Sequence, residues 1–578
     1  MSARRGILVV FILLFVAVLA SVGLMLLMVS AGNAPRPVPS NASLYLKIEA
    51  PFREIERSDL FTQFLRPPPT LRTMVESIRK ASRDSRVKTL VIMPQAAGAL
   101  WAQLQELRSA LDEFRAGGKP ITAYLEYGGA QEYYLASAAN RVVMMPGGQL
   151  DLSGLATYEL FFRGTLDKIG VYPDLLHIGE YKTAANTFTE KGFTPAHREM
   201  SQSLNRDWYD ELVRRISLGR NRAETEIRKA IDSGPFLAES ARRAGLVDEL
   251  AYEDQLDDQD PVRGTRRLES DDYEHASVRT ATASRSPAVR MALLYAVGTI
   301  ASGKSVFDTP GGSVVGSETF VQWVRKVRVD PGIRAIIVRV DSPGGSAIAS
   351  EAIWRELMLA RDVKPVIVSM GDVAASGGYY IALPAHAIVA QPGTITGSIG
   401  VVTGKFVLKG TFDKLGLGSD SVSDGRFAEI YSPLRPFTAE ERPKIEEQMQ
   451  ATYELFLSRV AEGRKSTAAR IDPFAQGRVW TGRQAKERGL VDELGGLDDA
   501  IRLARQHAKL EATREVRLDV YPQRRSFYEV VANPFGSSMA AGLQLLTRQT
   551  DLRAVELLRL SRFRRGEPLA LMPNVFWR

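Results

Sequence analysis

Two side chains of this sequence have the types and settings for acyl-transfer chemistry. The first is Ser376, in Ser369-Met-Gly-Asp-Val-Ala-Ala-Ser-Gly-Gly-Tyr-Tyr380. The β-type run Pro365-Val-Ile-Val-Ser-Met370 is expected to end in a glycine turn, with small residues, the serine, two glycines and a helix after it. A serine among small residues at a strand-to-helix junction is unshielded, and free N–H groups of the first helical turn can hold an oxyanion. The plainer alternative is a glycine- and serine-rich turn in which Ser376 only caps the helix. The second side chain is Lys182, at the end of the apolar run in Leu175-Leu-His-Ile-Gly-Glu-Tyr-Lys-Thr-Ala-Ala185. A serine nucleophile needs a base. The histidines are His177, His197, His275, His386 and His507, and none sits in a triad motif. A lysine serves if burial or a nearby cation pulls its pKa down from about 10.4.

What ties the two together is a repeat. Tyr133-Tyr-Leu-Ala136 recurs as Tyr379-Tyr-Ile-Ala382, an offset of 246. The same offset carries Pro146-Gly147 onto Pro392-Gly393, Gly154 onto Gly400, and residues 73–92 onto 319–338. Gly245-Leu-Val-Asp-Glu-Leu250 recurs as Gly489-Leu-Val-Asp-Glu-Leu494, an offset of 244. One register held over so long a stretch indicates duplicated units of one fold. Ser376 then falls opposite Ala130, and Lys182 opposite Ala428. The first repeat has the lysine without the serine and the second the serine without the lysine. That is the pattern of a site shared between repeats.

The elements that must position these residues read as an α/β architecture. Buried-strand candidates (Lys88-Thr-Leu-Val-Ile-Met93, Ile121-Thr-Ala-Tyr-Leu125) alternate with helical spacings over residues 101–115 and 200–216. The expected organisation is a first repeat over 40–250, a polar connection over 251–287, a second repeat over 288–525 and a helical tail over 526–578. Ahead of them, residues 1–32 hold Arg4 and Arg5 and then a charge-free apolar run from Gly6 to Ser30. That run is long enough to span a bilayer and longer than a signal-peptide core, so an uncleaved anchor is the favoured reading. The two arginines keep the N-terminus cytoplasmic and the bulk of the chain on the other side.

Composition narrows the chemistry. The 578 residues are 45% hydrophobic and 25% charged, with no cysteine and a net charge of +8. Disulfides, thiol nucleophiles and thiolate metal sites are excluded. The basic C-terminal cluster (Arg524, Arg525, Arg559, Arg562, Arg564, Arg565) suits nucleic acid or a membrane-proximal face, and the apolar N-terminus favours the membrane. No Walker-type glycine loop or metal-ligand cluster is present in the sequence, so no cofactor is expected.

The stretches Met370-Gly-Asp-Val-Ala-Ala-Ser-Gly-Gly-Tyr-Tyr380, Asp341-Ser-Pro-Gly-Gly-Ser346, Thr396-Gly-Ser-Ile-Gly400 and Gly179-Glu-Tyr-Lys-Thr-Ala184 resemble the signal peptide peptidase A (protease IV) family in its long, duplicated form, over about residues 40 to 525. The resemblance implies two tandem Clp/crotonase-like superhelical units. It implies an endopeptidase that degrades released signal peptides and other hydrophobic peptides at the bacterial inner membrane, on its periplasmic side. It carries the nucleophile onto Ser376 and the general base onto Lys182. Ser398 becomes a candidate to orient the amine, and Gly344, Gly345 and Gly377 become oxyanion candidates, with the choice between Gly344 and Gly345 open. It implies no metal or cofactor, no nucleic acid, and a homo-oligomer, with a tetramer as one size. Asp341 and Thr183 depart from the family's usual asparagine and serine. Two other readings compete: an acyl-CoA enzyme using the same glycine turns, and a membrane-anchored scaffold that binds peptides without cutting them.

Overall fold

The computed structural model describes residues 37–56, 69–274, 276, 288–309, 312–511, 514–523, 568–572 and 576–577, with a few positions between 13 and 23. The apolar run from Gly6 to Ser30 and the expected helical tail over 526–578 lie largely outside these residues. Among the described residues, no helix is long and apolar enough to cross a membrane.

The chain folds the same order of elements twice. The first unit runs β1 (Ala42–Glu49), α1 (Leu71–Arg83), β2 (Val87–Gln95), α2 (Trp101–Ala116), β3 (Ile121–Gly128), α3 (Ala130–Ala136) and β4 (Arg141–Leu150). It continues into β5 (Tyr172–Ile178) and the long helix α4 (Pro195–Arg220). The second unit runs β6 (Val289–Val297), α5 (Ser317–Val329), β7 (Ile333–Ser342), β8 (Gly344–Ser346), α6 (Ala347–Arg361), β9 (Val366–Ala375) and α7 (Gly377–Ala382). Then come β10 (Ile395–Gly397), β11 (Val401–Val407), α8 (Glu441–Gly463), β12 (Val479–Thr481), α9 (Leu497–His507), β13 (Val516–Tyr521) and β14 (Leu569–Leu571).

β1 to β4 form a parallel ladder, and so do β6, β7 and β9. Parallel neighbours need crossovers, which the helices supply, and strands covered on both faces become continuous apolar runs. Ile336, Ile337, Val338 and Val340 of β7 are accordingly all buried. Residues 266–269, inside the stretch read as the connection, pair in parallel with β1 as an edge strand of the first sheet.

Two expectations change. β9 runs unbroken from Val366 to Ala375, through the glycine turn expected after Met370. Gly371 makes this possible by having no side chain against Asp341, whose carboxylate accepts the Val373 N–H at 3.0 Å where the ladder shifts register. The Asp341 carboxylate is thereby committed to the β7–β9 ladder. The described residues of the tail expected to be helical are strands: Leu569–Leu571 and residues 576–577. Pro568 and Pro573 bracket the first of these and do not fit a helix interior.

The units are locked by a buried cluster of charge. Arg339 of β7 donates to both Glu54 carboxylate oxygens (3.0 and 2.9 Å) and to Glu106 of α2 (2.9 Å), and its third nitrogen meets Ser369 Oγ at 2.9 Å. Glu106 also accepts the Leu497 N–H at the start of α9 (3.0 Å). Around it, burial and neighbouring carboxylates push Asp341 up to about 6 and raise Asp372 well above its usual range. Removing one side of a buried pair leaves the other unpaired, at a cost of about 3–5 kcal/mol. Arg339→Met is therefore expected to lower the unfolding free energy by that amount in urea titrations, and replacing Glu54 and Glu106 by glutamine along with it should recover part of the loss.

Candidate active site

The serine comes from the second unit. β9 hands the chain to Ser376, which adopts φ 53° and ψ −113° before α7 begins. That backbone is unusual for a residue with a side chain. It is held by the Ser376 N–H on Gly397 O and by the Tyr380 N–H on Ser376 O, each at 2.8 Å. The hydroxyl makes no capping bond to α7, which answers the alternative read from sequence.

The lysine comes from the first unit and is carried across by a strand. β5 pairs antiparallel with β11 from Tyr172↔Val407 to Ile178↔Val401, so it belongs to the second unit's structure although the first unit's chain supplies it. The ladder stops at Gly179, which turns with φ 102° against the Gln476 backbone and has no room there for a Cβ. Tyr181 N–H then donates to Gln476 O at 2.9 Å. Gly477 packs on the Lys182 backbone and stem, where a Cβ would overlap the lysine's own Cβ. The next residue closes the other side, since Arg478 O accepts the Ser398 N–H at 2.7 Å.

The result is a dry constellation. Lys182, Ser376 and Ser398 all have zero exposure. Lys182 Nζ lies 2.7 Å from Ser376 Oγ, 2.9 Å from Ser398 O and 3.1 Å from Ser398 Oγ. Burial alone holds the lysine pKa well below 10.5, with no carboxylate acting to raise it.

The glycine candidates lie beside the serine. Gly344 has φ 97°, and its N–H is engaged by Ser342 Oγ at 3.2 Å. The Gly345 nitrogen sits 3.2 Å from where a Gly377 Cβ would be, so Gly345 and Gly377 present their backbones to one space. The histidines go elsewhere. His386 Nδ1 accepts the Val366 N–H at 3.1 Å, His197 faces Glu159 at 2.8 Å, and His177 sits 3.0 Å from Gly179 O. His275 lies outside the described residues.

Residues 113–259 and 359–511 match Peptidase family S49, so both halves of the repeat carry the family's pattern. The chain belongs to peptidase family S49. It is a serine peptidase. Among curated proteins it is 33% identical over 477 residues to "Serine protease SPPA, chloroplastic" of Arabidopsis thaliana, covering 81% of this chain and 70% of that protein. To "Protease 4" of Salmonella typhi it is 35% identical over 489 residues, covering 81% and 76%. To "Protease 4" of Haemophilus influenzae it is 32% identical over 461 residues, covering 75% and 72%.

In this S49 peptidase Ser376, Lys182 and Ser398 lie together with Gly344, Gly345 and Gly377 beside them, but the cradle that positions the lysine carries no clear mark in the sequence. Gln476 and Gly477 stand in Ala475-Gln-Gly-Arg478, which reads as an ordinary turn. The one hint is that two glycines far apart, Gly179 and Gly477, each border a motif already singled out. Gly477→Ala is expected to shift the lysine by a fraction of an ångström or more and to cut kcat/KM about 100-fold, the scale for misplaced catalytic groups. A melting curve and a peptide-hydrolysis assay on the same preparation separate that displacement from unfolding.

Proposed function

We propose that this S49 peptidase is an endopeptidase cutting through a serine–lysine dyad on a duplicated Clp/crotonase-like fold, with Ser376 as nucleophile and Lys182 as general base. The observation that carries the reading is the 2.7 Å approach of Lys182 Nζ to Ser376 Oγ inside a site closed to water. A neutral amine has two N–H bonds and one lone pair. Its neighbours match that count: Ser398 offers two oxygens to accept the N–H bonds, and the Ser376 hydroxyl faces the lone pair.

In the proposed mechanism Lys182 takes the Ser376 proton as Oγ bonds to the substrate carbonyl carbon. The N–H groups of Gly345 and Gly377 receive the developing oxyanion, and Gly344 serves the turn. Lys182 then gives its proton to the leaving amine as the peptide bond breaks. Water, deprotonated by the same amine, hydrolyses the ester and returns the proton to Ser376. Ser398 fixes the direction of the amine. The apolar run from Gly6 to Ser30 and the arginines before it support a membrane-anchored enzyme with its body on the periplasmic side of a bacterial inner membrane. Released signal peptides and other hydrophobic peptides are its proposed substrates, and a homo-oligomer its proposed form.

Ser376→Ala and Lys182→Ala should each reduce hydrolysis of a fluorogenic apolar peptide by about a thousandfold or more while keeping the wild-type fold. Lys182→Ala activity within threefold of wild type would remove the lysine from the mechanism. Because the base must be neutral, kcat/KM should rise with pH through a lysine pKa below 10.5 and then level off, and a flat profile counts against the dyad.

The same burial makes a stability prediction. Between the lowered folded pKa and 10.5, the unfolded chain binds a proton that the folded chain lacks, so stability rises with pH across that window. Lys182→Met removes this dependence. It should melt above wild type at neutral pH, with the gap narrowing as pH climbs toward 10.5.

A further inference from the structure

The wall beside Lys182 is tied to the first unit by an ion pair. Arg478 precedes β12, which runs antiparallel to β10 with Gly397 facing Val479, so Ser398 comes opposite Arg478. The Arg478 carbonyl takes the Ser398 N–H, and Ser398 supplies two of the oxygens that the Lys182 amine meets. The Arg478 guanidinium reaches α4 of the first unit, where two of its nitrogens meet the two carboxylate oxygens of Glu199 at 2.7 and 2.8 Å. It also lies over two rings, 4.5 Å from the centroid of Tyr181 and 4.4 Å from that of Trp480. The Tyr181 hydroxyl donates to Glu199 in its turn. Tyr181, Glu199 and Arg478 thus close a triangle, with two corners in the first unit and one in the second. Tyr181 is the residue before the lysine.

The backbone inside this triangle has to be held. Gln476 has φ 48° and Gly477 φ 75°, two left-handed residues in succession, and Ser398 has φ 52°. Left-handed backbone is costly for a residue with a side chain and persists only where the surroundings fix it. An ordinary surface ion pair is a weak fastener, because water screens it and two long side chains must be ordered. Here the arginine side chain is only 13% exposed, its fork engages both carboxylate oxygens and its faces meet aromatic rings. The units also touch nearby without it. Val479 N–H meets Met200 Sδ at 3.3 Å and Gln484 Nε2 donates to Ser203 Oγ at 3.2 Å, and both partners are on α4. Losing the pair should therefore loosen the wall without parting the units. The charged groups about the triangle are Glu180, Glu199, Arg478 and Arg488. The lysine pKa is lowered by burial and by none of these.

We propose that Glu199 and Arg478 are positioning residues, whose pairing clamps Tyr181 and the 476–478 backbone onto Lys182 and keeps the amine dry. The inference rests on the serine–lysine reading of the site. The two side chains bond to each other and to Tyr181, and they reach the dyad only through Tyr181 and the wall. A looser wall admits water, and hydration favours the ammonium form. The base is then protonated over more of the pH range. Turnover is lost where the amine carries its proton and returns as alkali removes it.

The test compares the full-length wild type with Glu199→Gln, Arg478→Lys and the double variant. Hydrolysis of an apolar fluorogenic peptide is followed between neutral pH and 10.5, and each protein is melted. Glutamine keeps the shape of Glu199 at a half-exposed position, and lysine keeps the charge of Arg478 without its fork, so both variants should melt within about 4 °C of wild type. The rising limb of kcat/KM should move about one pH unit toward alkali in each, which is about tenfold in rate at any pH on the limb. The loss should fall in kcat, with KM within about twofold, and should shrink to about threefold or less above the limb. A smaller folded fraction scales the whole profile and leaves the limb in place, so the limb reads the enclosure rather than stability. The double variant should match the worse single variant, because the pair acts as a unit. An unmoved limb, equal losses at every pH, or losses that multiply in the double variant overturn the proposal. A wild-type profile with no limb sinks the dyad instead, so the two failures are distinguishable.

Discussion

Everything at this site depends on stripping water from one lysine. An ammonium group in the open holds its proton far above neutral pH. A buried carboxylate would hold that proton just as firmly, so the amine has to be enclosed by neutral groups. The S49 peptidase meets this with uncharged oxygens from Ser376 and Ser398 and a wall of backbone from residues 476–478. The wall belongs to one unit and the lysine to the other. The seven-residue β5–β11 ladder is therefore as necessary to this enclosure as the wall itself, because it fixes where the first unit's chain ends up inside the second.

The buried charge around Arg339 acts on the same joint from the opposite side. Glu54 and Glu106 come from the first unit and Arg339 from the second, and none of them touches the lysine. A buried ion cluster is poor evidence for net stability, but it is demanding about geometry, because each charge needs its partner in place. Keeping charge there and none beside Lys182 means that the two units are registered by electrostatics at one place and left electrically quiet at the other.

The parts of this arrangement that could be read from sequence are those the duplication makes comparable. Ala130 opposite Ser376 and Ala428 opposite Lys182 single out these two residues because two copies of one fold can be laid side by side. The units themselves were legible for the same reason, and α1 and α5 begin and end at the expected 246-residue spacing. Three features were not. Gly477 looks like any turn glycine, since its role arises from a residue nearly 300 positions away. Gly371 suggested a turn, yet it lies inside a strand because the side chain it must clear, Asp341, is on the neighbouring strand. The pentapeptide at 568–572 is too short to show a period, and only its place between β8 and β11 makes it a strand.

The divided site also orders events in time. A chain emerging from the ribosome completes the first unit while Lys182 still lacks Ser376, Ser398 and the 476–478 wall, all encoded later. At that stage the amine is hydrated and carries its proton. The enclosure that strips its water exists only after nearly five hundred residues have been made and packed together. Under the proposed dyad, the half-made enzyme has no nucleophile to direct at its neighbours, and the completed one acquires it only as the two units close.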